Sequence, residues 1–171
     1  GDTVLTGAFL AVGSSNALAV AKGGIGQLTL TDVGLASTSI GTTTISAGTL
    51  AFYSANALPT GQILIGNATT TSGALTYLGA GETLANAILL NTTTANVYLN
   101  ASGTGALIIN GAITAVAGAK TLVLGGSNKD DNTISSALPS ATTNLQKVGV
   151  GTWVLSGANL YTGTTTLSNG I

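Results

Sequence analysis

"KVGVGTWVLSGANLYTGTTTLSNGI" fills residues 147–171. Trp153 and Leu155 stand two apart, so both side chains leave a strand on the same face. Gly149 and Gly151 precede this pair and Gly157 follows it. Glycine and asparagine there mark tight turns. After Lys147 the stretch carries no charged side chain. The same grammar recurs upstream in "GQLTLT" (26–31), "GQILIG" (61–66), "GALTYLG" (73–79), "GALIING" (105–111) and "KTLVLGG" (120–126). Each pairs apolar residues two apart: Leu28/Leu30, Ile63/Ile65, Leu75/Tyr77, Leu107/Ile109 and Leu122/Leu124. The expected class is all-β, built of short strands.

Composition supports this. Charged residues make up 5% of the 171, against about 25% in an average domain. Glu, Lys and Arg, which favour helices, are scarce. Thr, Val and Ile, whose branched Cβ suits a pleated surface, are plentiful. The net charge of −1 offers no field for nucleic acid or an anionic membrane. No histidine or cysteine is present, which excludes thiolate and imidazole chemistry. The longest uncharged, mostly apolar stretch, 105–119, is too short for a membrane helix and is broken by glycines and Asn110.

Longer elements also repeat. "TVLTGAFLAVGSSNAL" (3–18) aligns without a gap to "TTISAGTLAFYSANAL" (43–58). "TTLSNGI" (165–171) aligns with the start of both, and "TLVLGGSN" (121–128) matches "TWVLSGAN" (152–159). Such periods point to a solenoid, whose coils are stable only when stacked. With roughly 20 residues per coil the chain makes about eight coils, roughly 40 Å of rod at the interstrand spacing. Asn16, Asn56, Asn128 and Asn159 follow comparable strands. They are candidates for a turn ladder of stacked amides, or ordinary turn residues.

The opening stretch resembles the autotransporter-associated β-strand repeat, which reads approximately K-x-G-x-G-T-hydrophobic-x-L-S-G-x-N-x-Y-T-G-x-T-x-hydrophobic-x-x-G. Gly149, Gly151, Trp153, Leu155, Gly157, Asn159, Tyr161, Gly163 and Gly170 fall on it without a gap. "TTISAGTLAFYSANALPTG" (43–61) resembles the continuation that usually follows. The resemblance implies a right-handed parallel β-helix from the passenger region of a large bacterial surface protein. It implies a building element, with no catalytic residues to carry over. The alternating strands and aromatic girdles of an outer-membrane barrel are not visible in the sequence.

Chemistry finds few footholds. The acids Asp2, Asp32, Glu82, Asp130 and Asp131 are mostly isolated in sequence, so a polysaccharide-cleaving enzyme is disfavoured. No cofactor is implied. In "GGSNKDDNT" (125–133), Asn128, Asp130, Asp131 and Asn132 offer hard oxygen ligands for calcium. The preferred reading is an exposed loop that keeps its charges in water. Threonine runs at 42–44, 69–71, 92–94 and 164–166 raise the idea of an ice-binding face, but their spacing is irregular.

The expected whole is a single β-solenoid segment, residues 1–171, right-handed and parallel with degenerate repeats. Both ends fall inside repeat elements, so the segment is expected to belong to a longer tandem array or an end-to-end fibre. Its expected role is structural, in a bacterial cell-surface or secreted protein, as a rod or filament that associates with itself. An adhesin stalk presenting a binding region is the alternative. Self-stacking is the expected partnership, with cell-surface glycans as a candidate partner, and neither nucleic acid nor membrane insertion is expected.

Overall fold

The computed structural model describes residues 3–6, 18–31, 39–140 and 143–170. Within them the chain forms short strands joined by tight corners, and every strand pair is parallel. The first sheet holds eight strands in the order β1 (Thr3–Thr6), β3 (Gln27–Thr31), β5 (Gly48–Phe52), β7 (Gly73–Tyr77), β10 (Asn96–Ala101), β13 (Lys120–Gly125), β15 (Thr143–Lys147) and β17 (Thr165–Leu167). The second stacks β8 (Ala80–Leu84), β11 (Gly105–Ile109), β14 (Asn132–Ile134) and β16 (Trp153–Leu155). The third stacks β2 (Val20–Lys22), β4 (Thr43–Ile45), β6 (Ile63–Ile65), β9 (Ile88–Leu90) and β12 (Ile113–Ala115). From β7 to β12 the strands visit the first, second and third sheets in turn. The molecule is a parallel β-solenoid.

Period-two alternation places one row of side chains inside each coil. Stacking coils in parallel register then sets like on like. Leu50, Leu75, Leu99 and Leu124 form one inward column of the first sheet, all buried. Beside it run Leu30, Phe52, Tyr77 and Ala101, with the Phe52 and Tyr77 rings 5.3 Å apart and tilted by 52°. Ile63, Ile88 and Ile113 line the third sheet, and Leu84, Ile109 and Ile134 the second. These residues join in one core. Register neighbours lie between 20 residues apart, as Lys147 and Leu167 do, and 25 apart, as Leu50 and Leu75 do.

Two of the repeats read from sequence do not mark equivalent places in the coil, whereas 165–171 and the start at residue 3 both enter the first sheet. Residues 3–18 and 43–58 align, yet Thr3–Thr6 is in the first sheet and Thr43–Ile45 in the third. "TLVLGGSN" begins in β13 of the first sheet, and "TWVLSGAN" in β16 of the second. The reason is physical. Alternation distinguishes inside from outside but not one face of the coil from another, because all three faces need the same apolar pairs. The stretch 105–119 is β11, a corner and β12. Among the described residues no helix is long and apolar enough to cross a membrane.

The threonine runs do not share a face either. Thr43 is an inward residue of the third sheet, with no exposure, and its hydroxyl has no partner. Thr69 and Thr93 sit in corners, and Thr165 and Thr166 lie in the first sheet. A single flat threonine face, which ice binding needs, is not formed.

Candidate functional site

The 147–171 stretch folds as a corner, a strand and a return, and its motif residues hold the segment to the coil before it. Lys147 ends β15 with its side chain turned under the corner. Its Nζ donates to Val148 O at 2.7 Å, Gly149 O at 3.0 Å and, one coil on, Asn169 O at 3.2 Å. The chain turns at Gly149, whose φ is +70°. Trp153 is buried and its Nε1 donates to Gly125 O at 2.9 Å. Leu155 packs on Ile134. Gly151, Gly157 and Gly163 lie so close to the preceding coil that a Cβ would strike Asn128 O, Ser136 O and Thr143 O respectively. Asn159 Oδ1 accepts from Leu138 N at 3.0 Å, and the Tyr161 and Thr165 hydroxyls bond at 2.7 Å.

Lys22 builds the same corner. Its Nζ donates to Gly23 O at 2.7 Å, Gly24 O at 2.8 Å and Ala47 O, one coil on, at 3.4 Å. Gly24 has a φ of +73°. In the next coil Gly48 sits over Gly24 and Gly26 as Gly170 sits over Gly149 and Gly151, both with positive φ. A Cβ on either would strike those carbonyl oxygens, so only glycine fits. The two corners nevertheless occupy different places. Lys22 leads from the third sheet to the first, and Lys147 leads from the first to the second. The unit has moved one corner around the coil.

Sequence reasoning missed this use of lysine. Lys22, Lys120 and Lys147 are all buried. Lys120 Nζ donates to Val116 O at 2.6 Å and Gly118 O at 2.7 Å. Burial pushes the ammonium pKa of Lys120 and Lys147 below the ordinary lysine value. The available signal was Lys-x-Gly at the end of an apolar strand, as in "VAKGG" and "LQKVG".

The calcium candidates come together: Asn128 and Asn132 spend their side chains on the corner itself, while Asp130 and Asp131 are exposed. Asn132 is fully buried. The two N–H donors of its amide are shared among Asn128 O, Asn128 Oδ1, Asp130 O and Thr152 O, all within hydrogen-bonding distance, and its Oδ1 accepts from Leu107 N. Asn128 Oδ1 also accepts from Asp130 N at 2.9 Å. Asn132 is therefore not turned to solvent as a ligand; the corner is clamped by its own asparagines, and the charged side chains of Lys129, Asp130 and Asp131 are exposed. Among the described residues no three acidic, histidine or cysteine side chains group to hold a metal.

The asparagines named from the turns do not form one stack. Asn56 is exposed in a short 3₁₀ turn, Ala55–Ala57. Asn128 is buried in the corner after β13 and donates to Gly103 O at 2.9 Å, while Asn159 follows β16. Asn16, Asp2 and Asp32 lie outside the described residues. An unforeseen asparagine, Asn86, bonds Pro59 O at 2.8 Å and Gly61 O at 2.7 Å in the coil before it.

Glu82 stands on β8 in register with Leu107, and it caps the 3₁₀ turn of the preceding coil. Its carboxylate accepts from Ala55 N at 2.6 Å and Ser54 Oγ at 3.4 Å. Burial raises its pKa against the lowering pull of those donors.

The fold thus defines a parallel β-solenoid of backbone-clamped coils. Comparison with known proteins then gives its kind. The passenger-associated-transport-repeat model matches residues 20–52 and 145–171, the segments built on Lys22 and Lys147. A 101-residue stretch, 55% of this chain, is 35% identical to the adhesin BmaC autotransporter of Brucella suis biovar 1 (strain 1330). The chain spans about 3% of that protein's length. No solved structure matches. Two segments of the chain, 20–52 and 145–171, thus match the passenger-associated transport repeat.

Two outcomes test the clamps. Lys22→Met strips the corner carbonyls of their donor and costs about 1–3 kcal/mol in urea unfolding; a cost near zero would show an ammonium that is merely tolerated. For Glu82, the native state binds its proton more tightly than the unfolded chain does. Stability is therefore lost as pH rises from the ordinary carboxylate value through the raised folded one. Glu82→Gln removes this slope, and an unchanged slope would place it elsewhere.

Proposed function

We propose that this chain is a stretch of the stalk of an autotransporter adhesin, a rod displayed on the outside of a bacterial cell. The observation that supports it best is the coincidence of the two repeat matches with the two lysine corners. The repeat sequence is spent on joining one coil to the next. Nothing in it is reserved for a reaction, and the carboxylates Glu82 and Asp130 are engaged in capping and corner bonds. Adding a coil adds about 4.8 Å of rod, which suits a role in which length matters. The adhesin relative supports the placement at a cell surface. Antibodies raised against the folded segment label intact cells of the source organism, and external protease removes the label. Labelling that appears only after permeabilisation overturns the proposal.

End-to-end association is a second reading with its own observation. All three residues of β17 are exposed, and Leu167, which stands on Lys147 in the column that holds Leu124, is 69% exposed. Leu160 in the same last coil is also exposed. This edge is complementary to a further coil, supplied by continuing chain or by a second copy. The purified segment sediments as larger species as its concentration rises, and Leu167→Lys reduces that shift. A monomer at all concentrations removes the self-association reading and leaves the stalk.

A further inference from the structure

A groove of about 520 Å³ lies on the outer face of the first sheet. It is built by register. Thr49, Ala74 and Tyr98 follow one another up an outward column. The Tyr98 ring stands at one end, one coil on from Ala74, whose methyl group is too small to fill the space beside it. Asn96 Nδ2 donates to the Tyr98 hydroxyl at 3.2 Å and holds the ring in place. At the other end Ile25, almost wholly exposed, forms an apolar rim. The groove crosses four coils, three interstrand steps or about 14 Å.

Its chemistry is neutral and hydroxyl-rich. No charged side chain lines it. The hydroxyls of Thr49 and Ser72 make no hydrogen bond among the described residues and are free for a ligand. An anion or cation entering here would lose hydration without meeting a counter-charge. An extended peptide would seek an unpaired strand edge, but β5, β7 and β10 are already paired on both sides. A sugar ring satisfies both kinds of surface. Its C–H face meets the negative face of an aromatic ring, and its hydroxyls exchange hydrogen bonds with side-chain hydroxyls. The volume is within the range of small-ligand sites.

We propose that this groove binds a neutral oligosaccharide, with Tyr98 as the stacking platform and Thr49 and Ser72 as hydrogen-bonding partners. The stalk itself then carries a glycan-binding face. This is separate from the surface-display reading, since it is measured on the purified segment and the other on whole cells.

The test is a titration of the ¹⁵N-labelled segment with the neutral hexaoses of the cello-, manno-, malto- and galacto- series, with a hexuronate oligomer as the anionic control. At least one neutral hexaose produces saturable amide shifts centred on Thr49, Ser72, Ala74 and Tyr98, and the hexuronate produces none. Tyr98→Ala weakens that binding at least tenfold. Ser72→Lys, an exposed change that leaves the circular dichroism intact, weakens it several-fold. Absence of saturable shifts with all four hexaoses overturns the proposal. So does binding that both variants leave unchanged, or a preference for the hexuronate.

Discussion

The backbone of each interior strand of the three sheets is paired with the coil before it and the coil after it. Turn bonds follow the same rule: Ser46 N reaches Lys22 O, Ser102 N reaches Tyr77 O and Ser135 N reaches Ile109 O. Little of the backbone pairing is local, so no coil is satisfied alone. Parallel register then forces the contents of the core. A residue that points inward must rest on the residue that points inward below it, which is why leucine meets leucine along the first sheet and isoleucine meets isoleucine along the third. Polar residues enter this interior only with their own arrangements, as the fully buried Asn132 does by sharing its two N–H donors among four oxygens and accepting from one backbone amide.

Corners are where the stacking rule is hardest to obey. The chain must turn sharply while its carbonyls point inward or toward the next coil, out of reach of water. Lysine solves this with a long apolar stem and three donors at its tip. At Lys22 and Lys147 the tip gathers two carbonyls of its own corner and one from the next coil, so the same group shapes a turn and fastens the following turn to it. Glycine completes the device because the next coil passes too close for a Cβ. With three of four lysines buried against corner carbonyls, two of them also reaching the next coil, the near absence of charge at the surface is partly a consequence of the architecture.

Much of the fold was legible. The paired positions Ile63/Ile65, Leu75/Tyr77, Leu107/Ile109 and Leu122/Leu124 are all buried, and the inward placement of Trp153 and Leu155 follows from the same alternation. The roles of the polar residues were much less legible. Asn128 and Asn132 read as part of an open loop because partners such as Gly103 and Leu107 lie in another coil. Glu82 looked isolated because the turn it caps is at Ala55. The groove beside Tyr98 could not be read at all, since it exists only where Thr49 and Ala74 stack in one outward column with the ring.

By itself the sequence determined that the chain is all-β, that its strands stack as repeats, and which side chains face inward, because alternation and glycine placement act within a few residues. Only the tertiary structure decided which sheet each strand joins. It also decided which coil neighbour each polar group meets, and that one repeat unit serves at two different corners. Those outcomes depend on where the previous coil stands, and a local pattern carries no information about that distance.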